Sequence, residues 1–149
     1  MKKTGLIFLI FLAAVLSACS TPNHRVYANN RSLWEAQGIQ HYRFNFEIGC
    51  NCPWYDMMPV AVEVQNGEIV SMVASNGGDI SPYLDIFEPH ATIERLFDMV
   101  DSVTTKWVYK LEIQYDASYG FPTLIIIDPS RMVYDDETGY YVTDFEVLP

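Results

Sequence analysis

The chain is poor in positive charge: 9 Lys and Arg stand against 19 Asp and Glu in 149 residues, a formal charge of −10. A nucleic-acid backbone is held by a concentrated basic surface, so nucleic acid is excluded as a partner. Electrostatic docking on anionic lipid is disfavoured for the same reason. Histidine is scarce as well. His24, His41 and His90 lie far apart and none stands at a metal-ligand spacing, so no metal is expected. No Gly-x-Ser-x-Gly elbow and no phosphate-cradling glycine loop occurs. Asp135-Asp136-Glu137 lacks the alternating oxygen ligands of a calcium loop. With the usual parts of a catalytic site missing, the chain is read as a non-enzyme without cofactor. The apolar run at residues 6–16 is 11 residues long, too short to span a bilayer. What is present is apolar bulk: half the residues are hydrophobic and 14% are aromatic, enough for one folded core at this length.

The N-terminus carries a sorting pattern. Lys2 and Lys3 precede the apolar run, which has the size of a secretory core segment, and Leu16-Ser17-Ala18-Cys19 follows. Leu three places before Cys, with two small residues between, resembles the bacterial lipobox. The resemblance implies cleavage after residue 18 and acylation of Cys19, a palmitate-type anchor that several chains make stable. The chain then divides into a signal peptide (1–18), a lipidated tether (19–29) and a single domain (30–149). Losing Lys2 and Lys3 takes the formal charge from −10 to −12. The expected location is the cell envelope. In a Gram-negative host this is the outer membrane facing the periplasm, since Ser20 rather than Asp follows the cysteine; otherwise it is the outer face of the cell membrane.

The mature segment reads as α+β, a mainly antiparallel sheet of about six strands with two helices. Asn30 caps a short helix carrying Leu33 and Trp34, and Gly38 stops it. Tyr42, Phe44, Phe46 and Ile48 alternate with polar residues as a half-buried strand. Asn66-Gly67 between two valine- and isoleucine-rich runs predicts a hairpin with a type I′ turn. Residues 75–89 read as a connection, and 92–102 place Ile93, Leu96, Phe97 and Val100 on one helical face. Trp107, Tyr109, Leu111, Ile113 and Tyr115 share one face of a further strand; 123–127 and 140–147 complete the set. The halves look alike: Leu33-Trp34-Glu35 matches Leu96-Phe97-Asp98, and residues 42–48 match 109–115 in class. A helix-plus-three-strand unit used twice would explain this, although amphipathic strands also resemble one another by chance.

The most distinctive stretch is Cys50-Asn51-Cys52-Pro53-Trp54-Tyr55. With Cys19 acylated, two thiols remain in an exported chain, and an oxidising compartment favours their pairing. A loop this small adds only about 1.5 kcal/mol in the chain-entropy model, so a bridge would shape the loop rather than staple the domain. Three other readings stay open: a thiol–disulfide exchange site, a soft-metal (copper) site completed by Met57, Met58 or His41, and free or intermolecular thiols. Trp54 and Tyr55 form a candidate binding loop.

The lipobox, the tyrosine-containing strand running into Cys-x-Cys, the Val-x-Val-x-Asn-Gly hairpin, Ile-Glu-x-Leu-Phe and Tyr115-Asp116…Tyr119-Gly120-Phe121-Pro122 together resemble the bacterial lipoproteins of domain-of-unknown-function family 6174. The matching stretches run from about Trp34 to Asp128. The resemblance implies an exported, often lipid-anchored domain, and it brings no catalytic residues with it. The expected function is a non-enzymatic binding module, attached to the membrane by lipid, that takes a protein or peptide partner. The charge favours a basic partner, such as a cationic envelope-directed hydrolase that it would inhibit. Redox or copper handling through Cys50 and Cys52 is the alternative.

Overall fold

A computed structural model describes residues 22–149 except Asn51. The elements run α1 (Pro22–Gln37), β1 (His41–Gly49), β2 (Val60–Gln65), β3 (Glu68–Ala74), α2 (Leu84–Phe87), α3 (Ile93–Thr104), β4 (Lys110–Tyr115), β5 (Pro122–Asp128) and β6 (Thr138–Val147). The strands form one antiparallel sheet in the order β3-β2-β1-β6-β5-β4. Among the described residues the fold is therefore α+β with six strands and three helices, one of them a single turn.

Local chemistry explains most boundaries. Asn66 (φ 54°) and Gly67 (φ 79°) both occupy the left-handed region that the β2–β3 hairpin turn demands. The Thr92 side chain accepts the Arg95 N–H and caps α3. Gly38, at φ 61°, ends α1.

The alternation in β1 turns Tyr42, Phe44, Phe46 and Ile48 to one side, where all four are buried. Val60, Val62 and Val64 sit beside them in register. All three helices pack on this side. Trp34 of α1 stands edge-on to Tyr42 (5.4 Å), Tyr27 to Phe97 of α3 (6.0 Å), and Phe46 to Phe87 of α2 (6.5 Å). A short polar network ties the layers together. Glu94 of α3 accepts from Trp34 Nε1 (3.1 Å) and from the Tyr42 hydroxyl (2.8 Å), which itself accepts the Ile93 N–H (3.1 Å). The first orphan donor of α3 is thus satisfied by a sheet residue.

Four expectations change. Helix α1 starts at Pro22 and takes in most of the segment read as a tether, because Tyr27 buries its ring against Phe97 and gives the polar first turns an apolar contact. The connection 75–89 contains α2, pinned by fully buried Phe87. Trp107 and Tyr109 are exposed; Val108 packs against the core instead, and the strand begins only at Lys110, where β5 supplies a partner. The duplicated unit fails on geometry. The order 3-2-1-6-5-4 runs the same way across both halves, while three antiparallel steps separate β1 from β4 and reverse its direction. A rigid rotation relating the halves would put the second helix on the opposite face, yet α1 and α3 share one face.

Candidate functional site

The residues alternating with the core of each strand form a second face that no described helix covers. On β1 these are His41, Arg43, Asn45 and Glu47; their partners are Gln65, Glu63 and Ala61 of β2 and Glu146, Thr143 and Tyr141 of β6. Charge on this face is one-sided. Glu47, Glu63, Glu112, Asp128, Asp144 and Glu146 face Arg43 and Lys110 as the fixed cations. Arg43 pairs with Glu146, and Lys110 with Glu112 at 3.3 Å. Asn45 donates to Asp144 at 2.8 Å. His41 bridges Glu63 Oε1 (2.8 Å) and the Pro149 carbonyl (2.9 Å), and these two hydrogen bonds raise its pKa above the ordinary value.

An apolar strip interrupts the charge. Leu124 and Ile126 of β5 stand opposite Tyr141 and Gly139 of β6. The Tyr141 ring lies across the cross-strand pair Gly49–Gly139. A Cβ on Gly49 would meet its Cε2 at 2.9 Å, and one on Gly139 its hydroxyl at 2.7 Å. Glycine at both positions is what lets the ring lie flat on the backbone. Half-buried apolar side chains within an acidic field suit a partner that brings cations on an apolar scaffold.

The disulfide loop closes one end of this sheet. Cys50 and Cys52 are bridged, with Cα atoms 5.4 Å apart, inside the usual range. The Ile48 N–H donates to Met58 Sδ (3.0 Å), and Ser75 Oγ donates to the Met58 carbonyl (2.9 Å), fastening the loop to the ends of β1 and β3. Trp54 is half-buried against Tyr83, with ring centroids 5.7 Å apart, and its indole N–H is buried without a partner. Tyr55 alone of the predicted pair is presented to solvent, 60% exposed. His41 stands at the far end of β1, roughly 26 Å away at strand rise, so it cannot join these sulfurs around one metal. Among the described residues no group of three His, Cys, Asp or Glu could hold a metal ion. Cys19 lies outside the described residues.

On the covered side a cleft of about 210 Å³ opens beside Trp34, Glu94 and Arg31. Its polar groups are spent on one another: Arg31 donates to Tyr27, Glu35 and Asp98. These bonds, the Tyr27 one foremost, hold its pKa above the ordinary arginine value. Nothing there is arranged as a nucleophile with a base.

Sequence reasoning missed the Tyr141 strip and the exposed residues Trp107, Tyr109, Met132, Val133 and Tyr134. Periodicity carries no signal for the first, because Leu124 and Ile126 belong to an unbroken apolar run whose two faces look the same.

A family model, Family of unknown function (DUF6174), matches residues 26–147. No curated protein and no solved structure matches.

Proposed function

Because this chain belongs to the DUF6174 family, whose function is unknown, its role has to be read from its own surfaces: we propose a lipid-anchored bacterial envelope protein that binds a basic protein or peptide on the open sheet face. The observation that carries this is the face itself. Six carboxylates, two fixed cations and the Leu124–Ile126–Tyr141 strip stand uncovered on a rigid six-stranded support. The one imidazole described on it, His41, is held by Glu63 and the Pro149 carbonyl, and no described nucleophile stands beside that pair, which favours a binding module over an enzyme. A cationic hydrolase acting on the envelope has the matching charge, and an inhibitor of such an enzyme is the specific form of the proposal.

The test is a pull-down from envelope extract with mature protein as bait. The Glu112→Lys/Glu146→Lys variant, which alters one half-exposed and one exposed side chain outside the core, serves as control. Basic partners are expected to be retained at low salt, released as salt screens the contact, and absent from the variant. Recovery of no partner, or equal recovery by the variant, would refute the reading.

A further inference from the structure

Lys110 pairs with Asp128, so the residues just before β4 and just after β5 leave the sheet at the same end. Gly49 pairs with Gly139, which puts the disulfide loop and Tyr55 at that end too. Three side chains there stand almost wholly in water: Trp107 is 84% exposed, Met132 90% and Tyr134 95%, with Val133 and Tyr109 about half exposed beside them. Isolated exposed apolar residues are ordinary, but so many at the strand ends of one corner mark a contact surface. Lys106, Lys110 and Arg131 flank them in sequence. Trp and Tyr with an apolar body and a polar edge, next to Lys or Arg, are the side chains that settle at a bilayer's headgroup boundary.

The chain enters the body at this side. Val26, in the second turn of α1, borders one groove with Lys110, Leu111 and Ile113 of β4. Cys19 precedes Pro22 by three positions, a reach of at most ~10 Å. A lipid on Cys19 therefore holds the β4 side of the molecule, and not the β3 side, next to the membrane. Trp107, Met132 and Tyr134 keep 84%, 90% and 95% of their surface, so they stand clear of the body as separate knobs. A fluid bilayer accommodates such knobs, whereas a protein partner would need matched cavities.

We propose that this corner is a membrane-interface contact, in which Trp107, Met132 and Tyr134 enter the headgroup–acyl boundary and set the orientation of the tethered domain. The inference rests on the lipid-anchor reading above. Its consequence is that the sheet end meets the bilayer while the open acidic face stays clear for a partner. Asp135, Asp136 and Glu137 follow the knobs directly, so the contact is apolar rather than electrostatic, and anionic lipid does not strengthen it.

The test uses the purified mature protein on phosphatidylcholine vesicles brominated in the upper acyl chain, with and without phosphatidylglycerol. Intact mass is measured first, and an unacylated Cys19 overturns the anchor reading alone. Trp107 emission is expected to shift to the blue and to fall by about half on brominated vesicles, no more strongly with phosphatidylglycerol than without. Trp107→Phe removes the quenched component, leaving Trp34 and Trp54 unquenched; Tyr134→Asp weakens the quenching. Both replacements alter exposed side chains and leave the core alone. Acylated protein whose Trp107 is not quenched overturns the contact while the anchor stands. Quenching in unacylated protein supports the contact without the anchor. Protection of Trp107 that depends on protein concentration and not on lipid assigns the corner to a second copy, and overturns the proposal.

Discussion

The two faces of the sheet are made by the same strands and obey opposite rules. The face under the helices is apolar and aromatic, with Tyr42, Phe44 and Phe46 each at most 2% exposed, and the Trp34–Glu94–Tyr42 network joins polar atoms from both layers. The open face pairs charges across strands in solvent: the partners Arg43 and Glu146 keep 60% and 53% of their side-chain surface. Energy per contact differs accordingly. Removing a buried side chain costs transfer free energy plus a cavity, whereas exposed ion pairs contribute at most about 1 kcal/mol. The covered face holds the fold together. The open face is left free to be chosen by something else.

The sharpest way to break this contrast is a deletion on each side of β1 and β6. Phe46→Ala should lose about 3–5 kcal/mol of stability in urea unfolding, while Thr143→Ala, on the open face, should stay within about 0.5 kcal/mol. Equal losses would mean that the open face is packed against something. A smaller effect probes the polar network. Tyr42→Phe keeps the ring and strands the Ile93 N–H, and should cost about 1–3 kcal/mol; a change near zero would show that water replaces the hydroxyl. Burial and the neighbouring Glu94 both hold the Tyr42 phenol well above its ordinary pKa, so it stays protonated at any working pH.

The third contrast is in pH. His90 lies beside Tyr140, ring centroids 5.0 Å apart, and burial lowers its pKa. Its neutral form is the one the fold accepts, so stability is lost as pH falls below the ordinary histidine value, where the unfolded chain takes up a proton first. His41 has the opposite sign. Its raised pKa means that its contribution is full below the ordinary value and disappears as pH rises through the folded one. Urea midpoints measured across pH 5–8 should flatten on the acid side in His90→Phe and on the neutral side in His41→Gln. Identical profiles in both variants would remove the distinction.

Much of this was legible beforehand where the signal is local. Alternation placed β1, Asn66-Gly67 placed the hairpin, and the spacing of Ile93, Leu96, Phe97 and Val100 placed α3, because each depends on preferences within a few residues. The disulfide loop was legible as the odd feature of the chain; which of its aromatics faces water was not. Trp54 and Tyr55 are adjacent and chemically alike, and only the position of Tyr83 separates them. Trp107 and Tyr109 were misread for a related reason. Their alternation continues that of β4, but β5 ends at Asp128 and supplies no partner beyond Lys110.

By itself the sequence determined the acidic balance, the α+β class, the half-buried strands and the family, since composition and short-range periodicity carry all of these. Only the tertiary structure decided that β1 lies beside β6, about 100 positions away, and so which polar residues gather on one open face and which exposed side chains meet at one corner. Strand pairing over that distance is selected by the whole core at once. No window of sequence contains it.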